Sequence, residues 1–217
     1  MTDMTNDTPL DIRPPQTKRG TERRAALLSA ADELFLQRGY DAVSLDDLVA
    51  QVGGSKAAIY QYFGNKKGLL VSLVSFRCER FFNENELPRQ LDQKNVRDVL
   101  VLLAHKIYAA FTCPDNIAFM RLIIQESQRD PEMAQLAYEA GPLRGLNDTA
   151  NILRDAHVQG QIDCPQPFES AILFLGILRH SQWRLLVGLP PLEPHLNPEA
   201  YLNNSIDRFL AAHRVIS

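Results

Sequence analysis

No proline interrupts the chain between Pro15 and Pro88, and this absence constrains the fold more than any other feature, because proline inside a helix removes a hydrogen bond and clashes with the preceding turn. Inside that interval the apolar residues keep helical spacing. From Lys18 to Gly39, Leu27, Leu28, Ala31, Leu34 and Phe35 recur at three- and four-residue steps, which predicts one amphipathic helix with Gly39 just past its end. In Val43-Ser44-Leu45-Asp46-Asp47-Leu48, Ser44 can cap the next helix, Asp47 can return the bond, and Val43 and Leu48 hold the hydrophobic-staple positions. Leu45, Leu48, Val49 and Val52 form its apolar face, and Gly53-Gly54 stops it after about two turns. Ser55 then caps a second short helix, Lys56 to Phe63, with Ile59 and Phe63 facing inward. Two short helices around a tight glycine turn make a helix-turn-helix pattern.

Gly64-Asn65 breaks the chain again, and Asn65 caps a long helix from Lys66 to about Glu86, ended by Leu87-Pro88. Later prolines fall at intervals that suit helices, several at first-turn positions. The expected helices cover about 95–111, 115–127, 131–140, 142–159, 167–187 and 198–214. No period-2 segment of useful length and no internal repeat is present, so the fold class is all-α. Residues 1–17, polar, acidic and proline-containing, are expected to be a disordered arm. Residues 18–67 form a small helix-turn-helix domain and 68–217 a larger helical bundle.

Hydrophobic residues at 45% and charged residues at 23% are ordinary globular values. The formal charge of −3, taken alone, argues against a nucleic-acid partner, since such domains are usually basic. Divided along the chain it reads differently: residues 18–67 hold eight Lys or Arg against six Asp or Glu, a net of +2. Cys78, Cys113 and Cys164 have no CxxC spacing and an odd count, which indicates neither a zinc site nor a secreted disulfide framework. Redox sensing is the lesser reading for them, with Arg77 beside Cys78 as its only support. His105, His157, His180, His195 and His213 show no metal-binding spacing, and no phosphate-binding, dinucleotide or nucleophile-elbow motif occurs. No metal, cofactor or enzymatic activity is therefore expected. The N-terminus lacks a secretory h-region, and the densest apolar run, Ala171 to Leu178, is far short of the roughly 20 residues of a membrane span. A soluble, cytoplasmic protein with no membrane partner is expected.

With Ile59 and Phe63 inward, the helix from Lys56 leaves Lys56, Ala57, Tyr60 and Gln61 toward solvent or a ligand. Tyr60 and Tyr62 can donate phenolic hydroxyls to phosphates, and Gln61 or Lys56 can reach a base edge. Lys66 and Lys67 put two cations in the first turn of a helix, against its positive end, at about 0.3–1 kcal/mol each. A phosphate at that helix start would reverse the sign. Taken alone, such a pair is more often two solvated surface lysines; the preceding helix-turn-helix shifts the balance toward a phosphate site.

Residues Ala26 to Leu70, and especially ADELFLQRGYDAVSLDDLVAQVGGSKAAIYQYFGNKKGLL, resemble the N-terminal DNA-binding domain of the TetR family of bacterial transcriptional regulators. The spacing of Gly39-Tyr40, Ser44, Gly53, Ser55-Lys56, Tyr60, Tyr62-Phe63 and Lys66 agrees with the family pattern. The resemblance implies a homodimer on palindromic operator DNA, a three-helix DNA-binding domain, and a C-terminal domain that dimerises and binds a small effector. It places DNA contacts on Ser44, Lys56, Ala57, Ala58, Tyr60, Tyr62 and Lys66. Ala57-Ala58 replaces the Gly-Thr or Pro-Thr of many members, exchanging a hydroxyl for apolar contact to a thymine methyl. Lys67 replaces a common acid and adds phosphate attraction without sequence information. Asp46 would repel a phosphate and is expected to point away.

The stretch RLIIQESQRDPEMAQLAYEAGP, residues 121–142, is similar to the C-terminal domains of an AcrR- or AefR-like subgroup. The helix at 167–187 is apolar all round and must be buried on more than one side; with the helix at 198–214 it matches the family's dimer interface. Leu102, His105, Phe119, Met120, Ile123, Tyr138, Phe174 and Trp183 are the candidate lining of an effector pocket, apolar and aromatic with a few polar groups, although plain core is the commoner role for each. The function expected is a homodimeric repressor released from its operator by a small apolar or aromatic effector. The alternative is a TetR-like protein that binds DNA architecturally or through a protein partner, with no effector.

Overall fold

The computed structural model describes residues 17–84, 91 and 94–214, and the regular structure in them is ten α-helices with no strand. The first four are α1 (Lys18–Arg38), α2 (Leu45–Val52), α3 (Lys56–Phe63) and α4 (Lys66–Glu84). The expected arm at 1–17, except Thr17, and the expected end of α4 at Leu87-Pro88 lie outside the described residues.

Each boundary in this first region has a local cause. The Thr17 hydroxyl accepts the Gly20 N–H at 3.1 Å and starts α1. At α2 the capping box closes in both directions: the Asp47 N–H donates to Ser44 Oγ at 3.2 Å, and the Ser44 N–H donates to Asp47 Oδ2 at 2.7 Å. The Ser44 hydroxyl and amide hold the Asp47 carboxyl below the usual carboxylate range, with Arg38 adding to the effect. Gly53 at φ 78° ends α2, and Gly64 at φ 75° ends α3. Gly68 serves a different purpose. A Cβ there would run into the backbone carbonyl oxygen of Phe63, so only glycine lets the first turn of α4 lie against the last turn of α3.

The core of this region is Leu27, Leu28, Ala31, Leu34 and Phe35 of α1, Val43 and Leu48, Ile59 and Phe63 of α3, and Leu69, Leu70 and Leu73 of α4, all buried. Full burial of a side chain of this size contributes about 1.5–3 kcal/mol. Val43 and Leu48, each 1% exposed, are the two staple residues.

The remaining helices are α5 (Val96–Thr112), α6 (Pro114–Arg129), α7 (Pro131–Ala140), α8 (Pro142–Val158), α9 (Pro167–Leu186) and α10 (Pro198–Ala212). The last five all begin on proline, whose missing N–H costs nothing at a first helical position. Leu100, Leu103 and Ala104 of α5, Ile152, Leu153 and Ala156 of α8, Ala171, Phe174 and Leu178 of α9, and Leu202, Ile206 and Phe209 of α10 share one core. Phe174 and Phe209 meet edge to face at 5.7 Å. Side-chain bonds secure the connections: Gln161 accepts the Val96 N–H at 2.8 Å and donates to the Lys94 carbonyl at 2.9 Å.

The chain divides into two compact units between Phe76 and Arg77, inside α4 and beyond the 67/68 boundary placed from the sequence. One of the sides of α9 expected to be buried is covered within a single chain. Within one chain only the side carrying Ala171, Phe174, Leu178, Ser181 and Gln182 is covered, while Phe168, Ile172, Leu173 and Trp183 stay exposed. No helix among the described residues is long and apolar enough to cross a membrane.

Candidate nucleic-acid interface

Ile59 and Phe63, at 0% and 1% exposure, fix α3 to the body of the N-terminal unit by one side. That attachment turns Lys56, Ala57, Tyr60 and Gln61 out to solvent, with Ala58 and Tyr62 half-buried at the edges of the row. The glycine turn before α3 is held by Arg23, whose Nη2 donates to the Gly53 carbonyl at 2.6 Å; no spacing along the chain pairs α1 with that turn. Arg24 lies 5.2 Å from the centre of the Phe63 ring, and its partial burial lowers the guanidinium pKa.

The lysines are not all alike. Lys56 Nζ sits 2.7 Å from Asp46 Oδ2, which raises the ammonium's pKa by the hydrogen bond and by charge. Asp46 is thus directed at Lys56, a specific partner that the sequence expectation of a carboxylate pointing away did not identify. Lys66 Nζ lies 4.3 Å above the Tyr40 ring and 3.5 Å from the Asp41 carbonyl oxygen. The ring face and the carbonyl relieve the cost of a cation in the first turn of α4. Lys67 is half-buried in the same turn. Ser44 is exposed, with its hydroxyl 2.5 Å from Asp47 Oδ2. Ser44, the outward row of α3 and the start of α4 supply phenol, hydroxyl, amide and ammonium donors, the groups that hydrogen-bond phosphates and base edges.

The eight residues picked as an effector lining have diverse settings. Leu102, Tyr138 and Trp183 are exposed, Phe119 and Phe174 are buried, and His105, Met120 and Ile123 are intermediate. Phe174 belongs to the core with Phe209, and the Arg77 guanidinium stacks 4.4 Å over Phe119. A groove of about 340 Å³ is lined by Arg121, Ile124, Gln125, Gln128, Trp183, Leu186 and Val187. Of the eight, Trp183 lines it. Arg121 there donates to the carbonyls of Leu185 at 2.7 Å and Leu186 at 3.1 Å, closing the end of α9. Among the described residues no His, Cys, Asp and Glu cluster could hold a metal ion. Cys78, Cys113 and Cys164 form no disulfide, and the Cys78 thiol donates to the Gly141 carbonyl at 3.8 Å.

Residues 27–73 match the family model for bacterial regulatory proteins of the tetR family, and residues 98–215 match that for the C-terminal domain of AefR-like transcriptional repressors. The HTH-type transcriptional repressor ComR of Escherichia coli K12 is 32% identical over 114 residues, 52% of this chain. The chain spans about half the length of the curated relatives it matches, 54% and 59% for two of them. Among solved structures, a TetR-family transcriptional regulator of Mesorhizobium loti superposes with a TM-score of 0.78 at 23% identity, over 92% of this chain and 100% of that one. The flavonoid-responsive regulator FrrA gives a TM-score of 0.70 at 28% identity, over 90% and 99%. The second match alone covers more than half of the chain, and together with the capped α2–α3 pair and its outward donor row it assigns the protein: the chain belongs to the TetR family of DNA-binding transcriptional regulators, with a C-terminal domain of the AefR-like repressor type.

Proposed function

We propose that the protein is a homodimeric repressor that reads a palindromic operator with α3 and is released from it by a small apolar or aromatic effector. The observation that carries the DNA reading is the outward row Lys56, Ala57, Tyr60 and Gln61 on a helix clamped by Ile59 and Phe63. Gln61 and Lys56 read base edges, Ala57 and Ala58 meet thymine methyls, and Ser44, Tyr60, Tyr62, Lys66 and Lys67 bond phosphates. A phosphate draws Lys66 off the Tyr40 ring, because a full negative charge outweighs the ring's quadrupole.

Two-fold pairing of α9 and α10 accounts for the uncovered face of α9. Ile172, Leu173 and Trp183, at 50%, 64% and 60% exposure, are too apolar to leave in water together. Open space lies above Gly176 on the same helix, which permits close approach of a facing helix. A dimer places one α3 on each half-site of a palindrome. For the effector, support comes from the 28% identity to FrrA, which by name responds to flavonoids, and from the groove beside Trp183.

Gel-shift of the full chain against its own upstream region and a genomic fragment library checks the reading. Saturable binding to a palindromic fragment, relieved by flavonoids or simpler aromatic compounds, is expected. No sequence-selective binding to any fragment contradicts the repressor; selective binding that no such compound relieves contradicts only the effector.

A further inference from the structure

The cations that the N-terminal unit offers to DNA are mostly engaged by the unit itself. Arg23 is bonded to the Gly53 carbonyl, Arg38 lies 3.5 Å from Asp47, and Lys66 lies over Tyr40. Lys56 is the one at the start of the reading helix, where side chains of a helix-turn-helix reach base edges. Its ammonium is bridged to Asp46, in the first turn of α2, at 2.7 Å. Asp46 makes no bond that α2 needs, since Ser44 and Asp47 complete the capping box without it. A carboxylate on a DNA-facing turn repels phosphates of every sequence. Its presence therefore lowers affinity for all DNA, and the part it removes by engaging Lys56 is the phosphate part, which carries no selectivity.

We infer that Asp46 is a selectivity-determining residue: it holds the Lys56 ammonium away from the phosphates and keeps it at the base-reading end of α3. This rests on the DNA reading proposed above. A lysine free to swing onto the backbone contributes equally to every sequence through counterion release. A lysine tethered to a neighbouring carboxylate forms a donor next to an acceptor, a pairing that matches the guanine acceptors and the cytosine amino donor along a G·C edge. The tether is weak enough to yield, because both side chains are about half exposed or more, at 49% and 69%. It thus lowers non-selective affinity without locking the lysine out of use.

Binding by fluorescence anisotropy tests this with the full chain, Asp46→Asn and Asp46→Asn/Lys56→Met, each on a genomic fragment enriched by the wild type and on a random-sequence duplex across a range of salt. Both positions are exposed, so the variants leave the core intact. The Asp46→Asn chain is expected to bind the random duplex severalfold more tightly, with a salt slope steeper by about 0.9 per subunit. Its preference for the enriched fragment falls by a similar factor. The double variant, with the same net charge as the wild type, returns to the wild-type slope. An unchanged slope in Asp46→Asn, or an equally steep slope in the double variant, overturns the inference while leaving the DNA reading in place. A wild-type chain that binds every fragment like the random duplex overturns the DNA reading and this inference with it.

Discussion

Up to Phe76 the described helices are bounded by Ser and Thr caps and by glycines at positive φ, whereas from Arg77 onward half of the helices start on an uncapped proline and a larger core joins segments distant in sequence. In the first unit, Thr17, Ser44 and Ser55 each cap a helix a few residues away, and glycines at positive φ end α1, α2 and α3. In the second, Asn95, Asp130 and Asn197 cap α5, α7 and α10, whereas α6, α8 and α9 start on proline without a side-chain cap, and the core gathers residues of α4, α5, α8, α9 and α10. Local signals leave one short helix with one buried side and a defined outward row. Distributed packing leaves large faces whose purpose depends on a partner or ligand. The contrast explains why the proposed DNA-reading face is specific in its residues while the proposed effector site is not.

The contrast is broken most severely at Gly68. Gly68→Ala sets a methyl against the Phe63 carbonyl and is expected to destabilise the first unit by about 3 kcal/mol, the upper end of ordinary substitutions, and to abolish DNA binding. Trp183 is the single tryptophan and lies in the second unit, so denaturation followed by its fluorescence should stay near wild type while far-UV circular dichroism shows an early loss of helix.

Leu173→Asp tests the second unit. At 64% exposure the change is harmless to a lone chain, but in a two-fold interface it opposes two buried carboxylates. Sedimentation should show a monomer at micromolar concentration, and operator affinity should fall about tenfold or more through loss of the paired half-sites.

Ser44→Ala is the next smaller effect. Loss of the cap costs about 0.5–2 kcal/mol. Because Ser44 lowers the Asp47 carboxyl pKa, the stability it adds is present above the ordinary carboxylate range and is lost as pH falls through the depressed value. The gap between variant and wild type in thermal melts should therefore be full near neutral pH and narrow in acid. An equal gap at every pH contradicts the Ser44–Asp47 link.

Lys67→Ala gives the mildest change: affinity for all sequences falls a few-fold and the salt slope flattens by about 0.9 per subunit. Gln61→Ala, by comparison, should alter which sequence is preferred and leave the slope alone.

All ten helices of the described residues were legible in the sequence, because Ser-led caps, glycine ends and first-turn prolines are local and carry their own physical reason. The same holds for the outward row of α3, fixed once Ile59 and Phe63 are assigned inward. What could not be read were contacts between charges on different elements. Neither the Asp46–Lys56 bridge nor the seat of Lys66 on Tyr40 follows from spacing along one helix, since both depend on how α2, α3 and α4 fold against each other. The proposed effector lining was illegible for a related reason. Residues such as Phe174 and Leu102 have similar hydrophobicity, and only packing assigns one to the core and the other to the surface.

The most direct measurement is selection of a randomised duplex library by the wild-type chain and by Gln61→Ala. The account predicts that the wild type enriches a palindrome and that Gln61→Ala changes the preferred base at the same position of both half-sites. Failure of the wild type to enrich any sequence, or an identical palindrome from both proteins, contradicts the assignment of the α3 row as the reading surface.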